Sequence, residues 1–197
     1  MELADCDWDK EIKRKLSQKK YYTENELISI LYQISSALLY IQEKFNLSHR
    51  DIKPQNILVF PDGKYKLADF GEAKEAKVSK QINTLRGTEL YMSPALYDAL
   101  KHEENDVKHN PYKSDVFSLG FCFLYASALN FNLLYEMRDI SDNKKIRIIL
   151  QKFLKNIYTN KYMNLIQNML EIDENKRYDF KEIISDITKN YCEYINS

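Results

Sequence analysis

Glycine is scarce: Gly63, Gly71, Gly87 and Gly120 are the only four in 197 residues, and no two lie closer than eight positions. That spacing excludes a G-x-G-x-x-G loop and a G-x-x-x-x-G-K-[ST] loop, so the chain holds no glycine-rich phosphate cradle. Cysteine is equally sparse. Cys6, Cys122 and Cys192 are far apart and odd in number, which points to reduced thiols in a cytoplasmic protein and not to a disulfide framework or a zinc site. His102 and His109 lie in a polar stretch with no cysteine nearby, which argues against metal ligation. There is no excess of either charge: 29 basic and 29 acidic residues leave a net charge of zero. Without surplus cations to neutralise phosphates, a nucleic-acid partner is not expected. Residues 1–9 carry four acidic groups and no basic one, unlike the start of a secretory signal. What is present is a globular composition, 44% hydrophobic and 29% charged, in a length suited to one domain with a real core.

One hydrophobic run stands out. Residues 116–135 read VFSLGFCFLYASALNFNLLY and contain no charge. The length would suit a membrane span. However, Ser118, Ser127, Asn130 and Asn132 interrupt the run, and Asp115 and Glu136 flank it without a cation. A helix apolar all round is also what the middle of a large domain requires, so we expect a buried core helix over 116–130 and no membrane span.

Elsewhere the patterning is mostly helical. Residues 9–20 suggest a short basic helix with Ile12 and Leu16 on one face. Thr23-Glu24-Asn25-Glu26 is a capping box, in which threonine and glutamate satisfy each other's backbone amides. The helix it opens carries Leu27, Leu31, Ile34, Leu38 and Ile41 at core-facing spacing and runs to Lys44. Residues 57–60 (ILVF) and 65–68 (YKLA) are β-prone, and Pro61-Asp62-Gly63-Lys64 supplies a turn between them, which predicts a hairpin. Residues 72–87 and 101–113 read as polar loops, and amphipathic helices are expected around 145–158, 161–171 and 180–193. The expected fold is therefore mainly α with one small hairpin.

That hairpin brings chemistry together. Asp51 and Asn56 precede its first strand and Asp69 follows its second. Antiparallel pairing sets the start of one strand beside the end of the other, so Asn56 and Asp69 should converge. A carboxylate and an amide oxygen make a hard-oxygen site suited to Mg²⁺, which takes water and substrate phosphates as its further ligands. Asp51, on the loop entering the same strand, can face a hydroxyl arriving at a metal-bound phosphate. Lys53 adds a cation suited to the charge on a transferring phosphoryl group.

These residues spell His49-Arg50-Asp51-Ile52-Lys53-Pro54-Gln55-Asn56 and then Asp69-Phe70-Gly71. The chain resembles the eukaryotic protein kinases of serine/threonine type, in which these motifs recur in this order. Gly87-Thr88 with Tyr91-Met92-Ser93-Pro94 resembles the end of a kinase activation segment. Asp115-Val116-Phe117-Ser118-Leu119-Gly120 resembles the start of the central helix of the large lobe. In the family that aspartate accepts hydrogen bonds from the H-R-D backbone. Arg177 matches an arginine near the penultimate helices, and Met1-Glu2-Leu3-Ala4 resembles the hinge between lobes. Two departures are visible. The small ATP-binding lobe has no counterpart in residues 1–197, which read as hinge plus large lobe. The A-P-E triplet is Ser93-Pro94-Ala95, so Arg177 is expected to lack its carboxylate.

The resemblance implies a fold and a set of roles: a kinase-like C-terminal lobe, a helical bundle whose hairpin carries the catalytic and metal-binding loops. Asp51 would orient the substrate hydroxyl and accept its proton, Lys53 would touch the γ-phosphate, and Asn56 and Asp69 would hold Mg²⁺. Leu58 would lie beneath the adenine of ATP, with the Glu2 and Ala4 backbones at its edge. Thr84 and Thr88 fall in the activation segment. Thr84 would be the phosphate acceptor for a regulatory kinase or for self-phosphorylation, with Arg50 and Lys74 as its cations. The implied partner is a protein presenting serine or threonine. The alternative is an inactive kinase-like lobe that binds a partner protein.

Overall fold

The computed structural model describes residues 3–75, 82–84, 87–104, 106–138, 140 and 142–192, with the side chains of 82–84 and 106 outside that description. The chain opens with β1 (Cys6–Asp7) and α1 (Trp8–Ser17), the latter capped by the Asp7 carboxylate, which accepts from Lys10 N. Ile12 is fully buried as expected, but Leu16 is 44% exposed. The reason is local: Lys20 N bonds back to Lys15 O and Lys19 turns left-handed (φ 52°), ending the helix in solvent. The anchor of α1 is instead Trp8. It is fully buried against Phe123, Tyr22 and Tyr65, and its Nε1 donates to the Tyr22 hydroxyl at 3.1 Å. Tyr22 and Tyr65 both donate to the buried Glu11, at 2.7 and 2.9 Å. A buried carboxylate would be costly without such donors.

α2 (Glu24–Phe45) starts at the expected capping box, with both reciprocal bonds formed, and ends at Asn46 in the left-handed region. Leu27, Leu31, Ile34 and Leu38 are buried along one face. β2 (Leu47–Ser48) follows, then a 3₁₀ turn over Pro54–Asn56. β3 (Ile57–Val59) and β4 (Tyr65–Leu67) form the hairpin, in register Ile57↔Leu67, Leu58↔Lys66 and Val59↔Tyr65. Its turn uses Gly63 at φ 77°. The short β1 adds a third strand on the far side of β3.

The two stretches read as polar loops carry strands of two or three residues. β5 (Lys74–Glu75) pairs with β2, and β6 (Ile82–Thr84) pairs with a later strand. After a 3₁₀ turn over Glu89–Tyr91 come α3 (Pro94–Lys101) and β7 (Asp106–Lys108), the partner of β6. Such short ladders have too few residues to show a period of two.

α4 (Pro111–Ala128) is the pillar of the lobe, capped by Asn110 Oδ1, which accepts from Tyr112 N and Lys113 N. Every residue of it except Tyr112 and Lys113 is buried, so the uncharged run is a core helix. Among the described residues no helix is long and apolar enough to cross a membrane. α5 (Asn132–Arg138), α6 (Asn143–Leu154), α7 (Asn160–Met169) and α8 (Phe180–Asn190) pack around it and α2. The fold is mainly helical, a kinase-like C-terminal lobe.

Candidate active site

The site is built on the loop between β2 and β3, and α4 holds that loop from below. Asp115, wholly buried in α4, accepts from Ser48 Oγ (2.8 Å), His49 N (2.8 Å) and Arg50 N (2.9 Å). Burial pushes its carboxyl above the usual carboxylate range, while His49 and these donors pull the other way. The grip lets Arg50 take a left-handed backbone, φ 69°, which costs energy for any residue but glycine. His49 ties the loop to the hairpin. Its Nε2 lies 3.0 Å from Ala68 O, an atom that only accepts, so Nε2 carries the proton. Nδ1 is then left to accept from Asp51 N at 3.4 Å.

Asp51 is the most heavily partnered carboxylate of the loop. Its Oδ1 accepts from Thr88 N (3.1 Å) and Thr88 Oγ1 (2.8 Å). Its Oδ2 accepts from Lys53 Nζ (2.8 Å) and Asn56 Nδ2 (3.0 Å). Burial alone would raise its pKa, but the bonds from Lys53, Thr88 and Asn56 outweigh it and hold the carboxyl below its ordinary value. Lys53 Nζ also donates to Thr88 Oγ1 at 2.9 Å. The Asn56 amide donates to Asp51 O and Oδ2, both acceptors, which fixes its orientation and turns its oxygen to the opposite side.

Asn56 and Asp69 are brought close through the backbone, since Ala68 N donates to Asn56 O at 2.9 Å. Asp69 is exposed and left-handed (φ 59°), with Oδ1 accepting from Gly71 N at 3.3 Å. Phe70 beside it is 44% exposed and lies 4.9 Å from the His49 ring. No group of three or more His, Cys, Asp or Glu side chains suited to a metal occurs among the described residues. A cation held by Asn56 and Asp69 would therefore draw its remaining ligands from water or phosphate, as Mg²⁺ commonly does.

The remaining expected residues are spread along the sheet and the segment after it. Leu58 is half-buried in the middle of β3, between Asp7 and Lys66. Ala4, half-buried, leads into β1, where Asp5 N bonds Val59 O at 2.8 Å. Glu2 lies outside the described residues. Lys74 is exposed on β5 opposite Ser48, two residues before Arg50. Thr84 pairs through its backbone with Asp106, and its side chain lies outside the described part. Gly87, at φ 114°, passes so close to Arg50 that a Cβ would stand 2.8 Å from Arg50 O.

Two arginines hold main-chain carbonyls in this part of the lobe, and of the two it is Arg138 that reaches the segment after Thr88. Arg177 is not left without partners by the alanine at 95. It is buried, donates to the carbonyls of Glu171 (2.7 Å), Lys113 (3.0 Å) and Ile172 (3.1 Å), and stacks on Phe117. Burial lowers its pKa to about 10, against the pull of Glu174, Glu171 and Asp173, so it stays a cation at neutral pH. Arg138, at the end of α5, was not singled out by the sequence. A lone arginine closing a helix carries no local signal, yet it donates to the carbonyls of Glu89, Leu90 and Met92.

Comparison with known proteins gives the family of the chain. The family model described as "Protein kinase domain" matches residues 1–187. The chain is 35% identical over 196 residues to a probable serine/threonine-protein kinase, nek3, of Dictyostelium discoideum, covering 93% of this chain and 16% of that protein. It is 30% identical over 178 residues to the serine/threonine-protein kinase nekl-2 of Caenorhabditis elegans, covering 86% of this chain and 45% of that one. With an Aurora kinase of Yarrowia lipolytica it shares 31% identity over 173 residues, 88% of this chain and 44% of that protein. The chain thus spans less than half the length of each of these relatives. On the match of the family model and the H-R-D and D-F-G loops together, the chain belongs to the protein kinase family.

Proposed function

We propose that residues 1–197 form the hinge and large lobe of an ATP-dependent serine/threonine protein kinase, transferring phosphate to a protein hydroxyl. The observation that carries this reading is the Asp51 carboxylate, fixed by Lys53, Asn56 and Thr88 on the loop that also abuts Asp69. A carboxylate held below its ordinary pKa is ionised at neutral pH and is a weak base. Its contribution is to orient a serine or threonine hydroxyl, which would take the place of the Thr88 hydroxyl at Oδ1 and give its proton to that carboxylate as its oxygen bonds to the γ-phosphorus and the bond from that phosphorus to the departing ADP oxygen breaks. Lys53, within reach of Asp51 and Thr88, would stabilise charge on the phosphoryl oxygens.

Asn56 and Asp69 fit Mg²⁺ by donor chemistry, one amide oxygen turned away from Asp51 and one exposed carboxylate. When bound, the cation neutralises phosphate charge. Leu58 and the backbone near Ala4 and Glu2 would form the lower side of the adenine site. Thr84 is the proposed acceptor for a regulatory phosphate, from a second kinase or from self-phosphorylation, with Arg50 and Lys74 as candidate cations. Free thiols at Cys6, Cys122 and Cys192 fit a reducing compartment such as the cytoplasm.

The test is calorimetric titration of ATP into the chain joined behind a small kinase lobe, with and without Mg²⁺. Binding should require Mg²⁺ and should vanish in Asp69→Asn. Affinity unchanged without the cation would overturn the metal assignment.

A further inference from the structure

We propose that Arg138 is a positioning residue for Asp51, acting through the backbone of residues 89–92 and the Thr88 that precedes them. The inference rests on the proposed role of Asp51, but the contacts behind it do not. Arg138 reaches across from the end of α5 and donates from Nη1 to Glu89 O (3.2 Å), Leu90 O (2.7 Å) and Met92 O (2.8 Å). Nη2 donates to Met92 O at 2.7 Å. The one carbonyl it skips, Tyr91 O, accepts from Ser118 Oγ of α4 at 2.7 Å. Four consecutive carbonyls are therefore tied to the helical core by side chains, and three of them by a single guanidinium.

The guanidinium is itself fixed in place. Its Cζ lies 4.3 Å from the Tyr97 ring centroid and 5.1 Å from that of Phe121, so it is held against rings of both α3 and α4 by cation–π contacts that a flexible ammonium would not reproduce. Bonds from a cation to carbonyls are stronger than neutral ones. They engage main-chain acceptors, so they fix the path of the segment whatever side chains it bears.

That path ends at the reaction site. Immediately before Glu89, Thr88 gives both its amide and its hydroxyl to Asp51 Oδ1, and its Oγ1 accepts from Lys53. On the other side of Thr88, Gly87 rests against Arg50 O. A shift in residues 89–92 must move Thr88, and Thr88 cannot move without releasing one oxygen of Asp51. With alanine at 95, no side-chain carboxylate at that position ties the start of α3 to Arg177, whose guanidinium is spent on the carbonyls of Glu171, Lys113 and Ile172. The anchoring of the segment falls mainly to Arg138, with Ser118 at Tyr91 O and Ser114 at Ser93 Oγ as its single-bond companions.

The experiment is residue-resolved amide hydrogen exchange on the 197-residue chain and its Arg138→Ala and Arg138→Lys variants, with thermal melting alongside. Exchange at the Thr88, Tyr91 and Met92 amides should accelerate at least about tenfold in Arg138→Ala, while the α2 and α7 amides keep their wild-type rates. Arg138→Lys keeps a cation and an apolar stem but cannot span three carbonyls, so its acceleration should be intermediate. It decides the matter if the alanine variant does not fold. Unchanged exchange at Thr88 in either folded variant, or acceleration spread evenly over α2 and α7, would overturn the inference. Because this readout needs no phosphoryl transfer, failure of the kinase reading would leave it standing. Where transfer is measured, Arg138→Ala should lower kcat and leave the KM for ATP unchanged, and a rise in that KM alone would also count against it.

Discussion

His109 is a point at which mild acid is expected to destabilise this lobe. It is buried to 3% exposure beside Val107 O. Burial lowers its pKa below 6.5, and Arg50 adds to the effect, while the Val107 carbonyl and Glu174 oppose it. A base whose folded pKa is depressed binds fewer protons folded than unfolded. Its contribution to stability is therefore complete above about pH 6.5 and is lost as pH falls through the folded value. We expect the melting temperature to drop between pH 7 and pH 5, and His109→Gln to flatten that drop. Parallel pH profiles for the two proteins would show that His109 is not the titrating group. Asp51 works in the same direction at lower pH, because its depressed pKa loses stability only below the ordinary 3.8. Glycines supply a second test at this scale. Gly87→Ala combines φ 114° with a Cβ 2.8 Å from Arg50 O, whereas Gly63→Ala at φ 77° meets open space. The first should cost about 2–4 kcal/mol and the second about 1 kcal/mol in urea unfolding. Equal losses would mean that residue 87 does not press on the Asp51 loop.

Among the elements, α4 does most to place the site, through Asp115 below the loop and Ser118 below residue 91. Its contact with α7 depends on Gly120, where a Cβ would stand 2.8 Å from Leu170 Cδ2 and 3.2 Å from Met169 Cβ. Gly120→Ala should cost about 1–3 kcal/mol as the helices are forced apart, despite the better helix propensity of alanine. A stability gain in urea unfolding would contradict that packing. At the start of α3, Ala95→Glu should not raise the melting temperature, since Arg177 is already held by three carbonyls and the Phe117 ring. An increase beyond about 3 °C would show that the arginine still has capacity for a carboxylate. Elements were legible in the sequence where their signals were local. The capping box at Thr23, the hairpin turn at Gly63 and the uncharged run of α4 each lie within a few turns of chain. The burial of Trp8, the two-residue ladder of β2 and β5 and the reach of Arg138 depend on partners dozens of residues away, and no local pattern encodes them.

At the scale of the molecule, the H-R-D and D-F-G loops meet because one hairpin folds between them, which is why much of the candidate site was readable from motif spacing. On the proposed reading, the 197 residues supply one face for a nucleotide. Leaving about 100 Å² of purine uncovered removes on the order of 2–3 kcal/mol, and each missing charge-assisted bond removes about 1.5–3 kcal/mol more. Against a micromolar complex near about −8 kcal/mol, the chain alone should bind ATP no tighter than about millimolar. Titration giving micromolar affinity would show that one face suffices. The most direct measurement is transfer of labelled γ-phosphate from Mg-ATP to serine or threonine peptides by the lobe joined behind a small kinase lobe, compared with Asp51→Ala. Transfer by the first and its loss by at least about a hundredfold in the second is the expected result. Equal transfer by both would contradict the central role given to Asp51.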